Sequence, residues 1–219
     1  DELANEWWDE NGKFKVLHKI KPLRISYILD QFKNKVINDL DILDLGCGGG
    51  LVSEPLSRLG GKVTGIDFVK KNIQTAKKHA ITKKLKINYI CGDIERIKLK
   101  KKYDLIIMFE ILEHLDNWEN FLLRYIDYLK PKGKIIVSTI NRNIISKYSA
   151  IFIAENILNW IPKGTHDFNK FITPDEIKNF SKKSKIKFQD FRGLTYNPID
   201  LNWNFSDFKK INYFFTLKN

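Results

Sequence analysis

Apolar residues along this chain fall into short continuous runs. Between the runs are longer stretches where they recur every three or four positions. Ile42, Leu43 and Leu45 form a short apolar strand that ends in a glycine cluster. Residues 63–66 read as a second strand ending at Asp67, and residues 87–91 as a third ending at Gly92 and Asp93. Residues 103–109 read as a fourth, with an unbroken core in Leu105, Ile106, Ile107 and Met108, and residues 135–140 as a fifth. Helical patterns separate them: residues 51–59, with Pro55 marking a start or kink, residues 72–81, and residues 118–129, stopped by Pro131 and Gly133. Short apolar strands alternating with helices predict βαβ units. The expected architecture is α/β, a mostly parallel, doubly wound sheet buried on both faces.

The flanks read differently. Residues 1–9 suggest a polar helix start carrying Trp7 and Trp8, broken at Gly12. Pro22, placed at a helix N1 position, predicts a helix running to about Phe32, with Ile25, Ile28, Leu29 and Phe32 on one face. After residue 140 comes a long apolar helical stretch over residues 144–161 and a turn-rich segment over 162–167. Pro174 opens another helix, and residues 188–195 and 213–217 read as closing strands. With 219 residues and no repeat or low-complexity linker, the chain is read as a single domain. Its parts are a helical cap (1–38), a cofactor-binding core (39–140), an insertion or substrate lid (141–172) and a C-terminal part of the core (173–219).

Composition changes this picture little. The net charge is +12, from 38 Lys+Arg against 26 Asp+Glu. Much of it is lysine scattered among Asn and Ile, as at Lys98, Lys100, Lys101 and Lys102. No recognition helix or aromatic-interleaved basic run accompanies it, so no nucleic-acid partner is expected. Cys47 and Cys91 suggest neither a disulfide framework nor a zinc site, and two buried thiols in a reducing cytosol are expected. No apolar run is long enough to span a bilayer and no signal peptide is visible. The sequence opens on Asp1 rather than Met, which leaves any upstream segment open.

The strongest local signal is Asp44-Leu45-Gly46-Cys47-Gly48-Gly49-Gly50. Glycines suit a turn where backbone approaches a ligand or adopts positive φ, at the sheet edge where ligands bind. The dinucleotide pattern G-x-G-x-x-G fails here, because its third glycine would fall on Leu51. The pattern is G-x-G-x-G preceded by Asp44. An acid there suits S-adenosylmethionine, which carries an amino group and no phosphate. Asp67, 17 residues after Gly50, can accept from ribose hydroxyls or cap the next helix. Asp93 can accept from the adenine amino group or serve as a cap.

Taken together, the chain resembles the ubiquinone-biosynthesis O-methyltransferases. The resemblance begins at Trp7-Trp8-Asp9 and runs through Gly12, Phe14, Leu17-His18, Pro22-Leu23-Arg24, the glycine loop and Val63-Thr64-Gly65-Ile66-Asp67. It continues through Glu110-Ile111-Leu112-Glu113-His114, Ser138-Thr139-Ile140-Asn141-Arg142, Pro162-Lys163-Gly164-Thr165-His166-Asp167, Lys170-Phe171-Ile172 and Tyr196-Asn197-Pro198. It implies a class I S-adenosylmethionine-dependent methyltransferase fold with a seven-stranded sheet, N-terminal helices and an apolar insertion after the fifth strand. It also implies methyl transfer to ring hydroxyls of polyprenylated phenols and catechols, with both O-methylation steps made by one enzyme. By the same resemblance Arg24, Gly46, Asp67 and Phe109 contact the cofactor, alongside Asp44, Gly48 and Asp93 from the loop and strand ends. Phe109 departs from the more usual methionine, and Lys21 from an asparagine. Arg24 has a physical rationale, since a guanidinium pairs bidentately with a carboxylate.

Glu110, Glu113 and His114 follow the fourth strand at spacings i, i+3 and i+4, which share a face on a helical turn. His114 or Glu113 could act as general base. Alternatively all three could hold Mg²⁺ beside a phenolate, as the family's eukaryotic members suggest. A helix-start charge cluster is the structural alternative. His166 and Asp167 are further base candidates. Ile144, Ile145, Tyr148, Ile151, Phe152, Leu158, Trp160 and Ile161, flanked by Arg142, Lys147 and Lys163, read either as an ordinary core helix or as a contact with an anionic membrane surface. A cytoplasmic protein, peripheral on the inner membrane face and associated with other ubiquinone-synthesis enzymes, is the corresponding expectation.

Overall fold

The computed structural model describes residues 3–143, 168–197, 202–207 and 211–219. Eight strands form one sheet: β1 (Asp41–Leu45), β2 (Lys62–Asp67), β3 (Asn88–Cys91), β4 (Tyr103–Phe109), β5 (Leu129–Ile140), β6 (Lys187–Asn197), β7 (Asn202–Ser206) and β8 (Asn212–Lys218), in the order β3-β2-β1-β4-β5-β8-β6-β7. The first five run parallel. The last three join by antiparallel pairs, β8 between β5 and β6, and β7 outside β6. Five helices accompany them among the described residues: α1 (Lys15–Asp30), α2 (Ser53–Arg58), α3 (Lys70–Thr82), α4 (Trp118–Ile126) and α5 (Pro174–Ser184).

The apolar runs are continuous because both sheet faces are covered. In β4, Ile106 and Met108 pack into the core with α4 and α5, while Leu105 and Ile107 pack into the other core with α1 and α2. The same alternation places Leu43 and Leu45 on the first face and Ile42 on the second.

The structure differs from the sequence reading in three places. Helix α1 begins at Lys15, so Pro22 lies inside it rather than at its start. The proline forfeits one bond to the carbonyl of His18, and burial of Ile20, Tyr27 and Ile28 offsets that cost. Helix α4 stops at Ile126, and β5 begins early, at Leu129. The register shifts between Tyr103↔Leu129 and Leu105↔Lys134, so the segment around Pro131 and Gly133 is a bulged turn in the strand. The sheet has an eighth strand, β7, where seven were expected. The insertion residues 144–161 and the 162–167 segment, with His166 and Asp167, lie outside the described residues.

Pro174 does open α5. Thr173 accepts from the Glu176 amide at 3.3 Å, and the Thr173 amide donates to Glu176 Oε2 at 2.7 Å, a complete capping box. No helix among the described residues is long and apolar enough to cross a membrane.

Leu105 has no exposed surface, whereas Leu123 is 43% exposed. Leu105→Ala is expected to cost about 2–5 kcal/mol in chemical denaturation and Leu123→Ala less than about 0.5 kcal/mol. Equal costs would contradict the two-faced core.

Candidate active site

The first βα turn leaves β1 through Gly46, Gly48 and Gly50, at φ 64°, 52° and 91°. L side chains rarely adopt these values, and Trp7 and Tyr89 leave no room for a Cβ at Gly48 and Gly50, so glycine suits this path. Asp44, buried at the end of β1, accepts from the Ser53 hydroxyl at 2.5 Å and so ties the loop's entry to the start of α2. Burial raises Asp44 to about 6, opposed by the Ser53 hydroxyl and the positive charge of Arg24.

Asp67 ends β2 under the same loop. Its Oδ2 accepts the Gly48 amide at 2.9 Å, and its Oδ1 accepts the Val69 amide at 2.8 Å and Asn72 Nδ2 at 3.3 Å. Burial pushes its pKa up, and the three donors pull it back. A carboxylate has about four acceptor positions, so capacity remains for ribose hydroxyls.

The N-terminal tryptophans close over the loop, which sequence reasoning did not foresee. Trp7 lies so close that a Cβ on Gly48 or Gly49 would sit 2.4 or 2.3 Å from its side chain. Its Nε1 donates to Asn72 Oδ1 at 2.9 Å, linking the ring to Asp67 through Asn72. Trp8 donates to the Gly49 carbonyl at 3.1 Å and stacks on His79 with centroids 3.5 Å apart. His79 meets the buried Glu54 at 2.6 Å, and His18 meets the Trp7 carbonyl at 2.9 Å. The tryptophan pair was a legible signal. Its partners lie too far along the chain to be read from sequence.

Arg24 and Phe109 come together beside the loop. The Arg24 guanidinium lies 5.0 Å from the Phe109 ring centroid and ion-pairs with Glu110. Arg24 Nε is buried and has no partner. An unused donor on a buried cation suits an incoming carboxylate. The glycine turn, the remaining acceptor capacity of Asp67 and this unused donor have the chemistry that would hold S-adenosylmethionine.

Asp93 lies at a turn after β3 rather than at a helix start. It is exposed, its Oδ1 accepts the Glu95 amide at 2.8 Å, and its Oδ2 lies 3.4 Å from Arg96 Nε.

Glu110, Glu113 and His114 do not share a face. The expectation assumed a helical turn from residue 110. Instead Glu110 sits at φ 51°, ahead of a short 3₁₀ turn, Leu112–His114. Glu110 accepts from Ser138 Oγ at 2.7 Å and from Arg24. Glu113 turns inward, 3% exposed, and accepts from Thr139 Oγ1 at 2.9 Å, while His114 is exposed. Among the described residues no group of three His, Cys, Asp or Glu side chains could hold a metal ion. The Mg²⁺ expectation therefore has no matching ligand set among the described residues.

Glu113 keeps one buried oxygen, Oε1, without a partner. Burial first, and the neighbouring Glu110 charge second, raise its pKa to about 8. A carboxyl so poised near Glu110 and Arg24 can exchange a proton with a weak acid near neutral pH.

Comparison with known proteins completes the picture. Residues 43–137 match the family model described as a methyltransferase domain. A ubiquinone biosynthesis O-methyltransferase of Rickettsia akari is 40% identical over 220 residues, covering 99% of this chain and 88% of that protein. One of Pelagibacter ubique is 43% identical over 219 residues, covering 96% and 91%. The chain belongs to the ubiquinone biosynthesis O-methyltransferase family. It is an S-adenosylmethionine-dependent O-methyltransferase with a class I fold. Magnesium protoporphyrin IX methyltransferase from Synechocystis, with bound S-adenosylmethionine, shares that fold with a TM-score of 0.67 at 15% identity, covering 100% of this chain and 91% of that one. The N-methyltransferase NodS of Bradyrhizobium japonicum, with S-adenosyl-L-homocysteine, does so at 0.62 and 15%, covering 97% and 91%.

Gly48→Ala puts a Cβ into the Trp7 ring at a positive φ. It is expected to weaken S-adenosylmethionine binding at least about tenfold in calorimetry while the protein still unfolds cooperatively. Wild-type affinity in that variant would show that the loop and the tryptophan cap are not one unit.

Proposed function

We propose that this enzyme methylates ring hydroxyls of polyprenylated phenols and catechols at both O-methylation steps of ubiquinone synthesis. These would be the 2-polyprenyl-6-hydroxyphenol and the 3-demethylubiquinol. The observation that carries the reading is Glu113, buried beyond the carboxyl end of β4 within the influence of Glu110 and Arg24, with an unpartnered Oε1. Supporting it are the names of relatives about 40% identical over almost the whole chain.

A phenol has a pKa of about 10 and is a poor nucleophile when neutral. Bound S-adenosylmethionine supplies an electrophilic methyl on a positively charged sulfur. Asp67, the glycine loop and Arg24 fix the donor's position. Glu113 Oε1 would take the proton of the substrate hydroxyl, freeing the ring oxygen to receive the methyl that the cofactor would supply. Thr139 holds the other Glu113 oxygen, which orients the carboxylate. Glu110, occupied by Arg24 and Ser138, keeps the guanidinium in place rather than moving protons. Alignment of donor and acceptor supplies the larger part of the rate. Peripheral contact with an anionic membrane and association with other ubiquinone-synthesis enzymes belong to the same reading. They suit a greasy substrate and the apolar composition of residues 144–161.

The test is methyl transfer from labelled S-adenosylmethionine to a short-chain polyprenyl catechol across pH, with and without chelator. Glu113 is proton-free only above its raised pKa, so kcat/KM should rise with pH through about 8 and then level. Glu113→Gln should lose roughly 100-fold or more and the pH limb with it. The sign for stability is opposite. The folded state holds a proton on Glu113 that the unfolded chain releases above its ordinary 4.5, so Glu113 makes stability fall between 4.5 and about 8. Chelator should leave transfer unchanged. Transfer abolished by chelator and restored by Mg²⁺ would remove Glu113 as the base, and no transfer by cofactor-binding protein would remove the substrate assignment.

A further inference from the structure

The eighth strand has no part in the cofactor cradle, and its placement suggests a role. Strand β6 runs parallel to β5, because both pair antiparallel with β8. Its carboxyl end therefore lies at the same sheet edge as the carboxyl ends of β4 and β5. Pairing of β6 with β8 stops at Leu194↔Asn212, but pairing with β7 continues through Thr195↔Asn204, Tyr196↔Trp203 and Asn197↔Asn202. The β6–β7 hairpin thus projects past the sheet by three residues, roughly 10 Å at the rise of a strand.

Its tip carries a cross-strand aromatic pair, Tyr196 and Trp203, with ring centroids 5.4 Å apart. Tyr196 is 38% exposed, and Trp203 and Phe205 are half-buried. Period-two alternation puts Tyr196 on the face of Leu194, and Trp203 on that of Phe205. That face belongs to the core beneath α1, which also takes Phe109. Rings continue along it: Phe205 to Phe214 at 6.2 Å, and Phe214 to Phe109 at 5.7 Å. Phe109 in turn lies against Arg24, at the cofactor end. A row of aromatic side chains thus leads from the reacting edge to a projecting, partly exposed tip. The hairpin residues 195–197 and 202–206 carry no charge. A neutral apolar occupant suits them better than an anionic headgroup layer, which would call for lysine or arginine.

We propose that the β6–β7 hairpin, through Tyr196 and Trp203, is the contact surface for the isoprenoid tail of the substrate. It holds the first units of the chain outside the catalytic pocket while the ring lies at Glu113. This assignment rests on the polyprenyl-phenol reading above, and it makes the hairpin a specificity device rather than part of the chemistry. Nothing in the transfer step touches these two residues.

The experiment compares a catechol bearing four isoprene units with the tail-less catechol, using the full chain loaded with S-adenosylmethionine for turnover and with S-adenosylhomocysteine for equilibrium dialysis. Tyr196→Ser/Trp203→Ser should lower the tailed-to-tail-less ratio of kcat/KM about tenfold, leaving the tail-less value unchanged. Tyr196→Ser alone, at an exposed position, should lower the ratio about threefold and provides the reading if the double variant unfolds. A parallel fall for both substrates, or an unchanged ratio in a folded variant, would overturn the proposal. So would wild-type protein that binds the tailed catechol no more tightly than the tail-less one. Tail-selective binding that depends on Tyr196, with no methyl transfer, would support the hairpin surface and reject the reaction assigned above.

Discussion

Asp67 accepts the Gly48 amide on one oxygen and the Val69 amide on the other, and these two bonds fix the glycine loop against the end of β2. A buried carboxylate left without donors would be costly, so loop and acid stabilise each other. Asn72 adds a third donor and passes the constraint outward to Trp7, whose ring lies on the loop. The glycine loop, Asp67 and the N-terminal tryptophan cap are therefore one connected unit. Phe14, stacked on Trp7 at 3.9 Å, carries the connection to the start of α1. Arg24 sits further along that helix.

The second unit is built on β4 and β5. Their paired carboxyl ends bring Ser138 and Thr139 beside Glu110 and Glu113. Two carboxylates a few residues apart take opposite roles by environment alone. Glu110, partly exposed, neutralises Arg24. Glu113 is buried, so its proton is held to higher pH. Separation of an ion-pairing acid from a proton-accepting acid is what a transfer to a weakly acidic hydroxyl requires.

Much of this was legible in the sequence, for identifiable reasons. The strands of a doubly covered sheet are largely apolar, so residues 105–108, and Ile42, Leu43 and Leu45 around Asp44, announce themselves. The glycine loop is equally plain, because its backbone angles admit little else. Pro22 misled, since a proline inside a helix is the rarer case and only tertiary burial of the surrounding α1 face overrides it. The spacing of Glu110, Glu113 and His114 misled because it presumes a helix, and a left-handed residue at 110 breaks that geometry. Strand β7 carries a period-two alternation, Asn202-Trp203-Asn204-Phe205, too short to stand out beside a turn. The Trp7–Asn72–Asp67 link joins residues up to 65 apart and leaves no local mark.

The connection from Trp7 through Asn72 to Asp67 is the most exacting part of this account, and one calorimetric titration tests it. Trp7→Phe keeps an aromatic ring against Gly49 while removing the N–H that holds Asn72, together with part of the indole that covers Gly48. If cap and cradle are one unit, S-adenosylmethionine should bind about fivefold more weakly, the size of one lost hydrogen bond, with the melting temperature little changed. Wild-type affinity in the folded variant would contradict the account, leaving the tryptophan cap as packing that the cofactor site does not use.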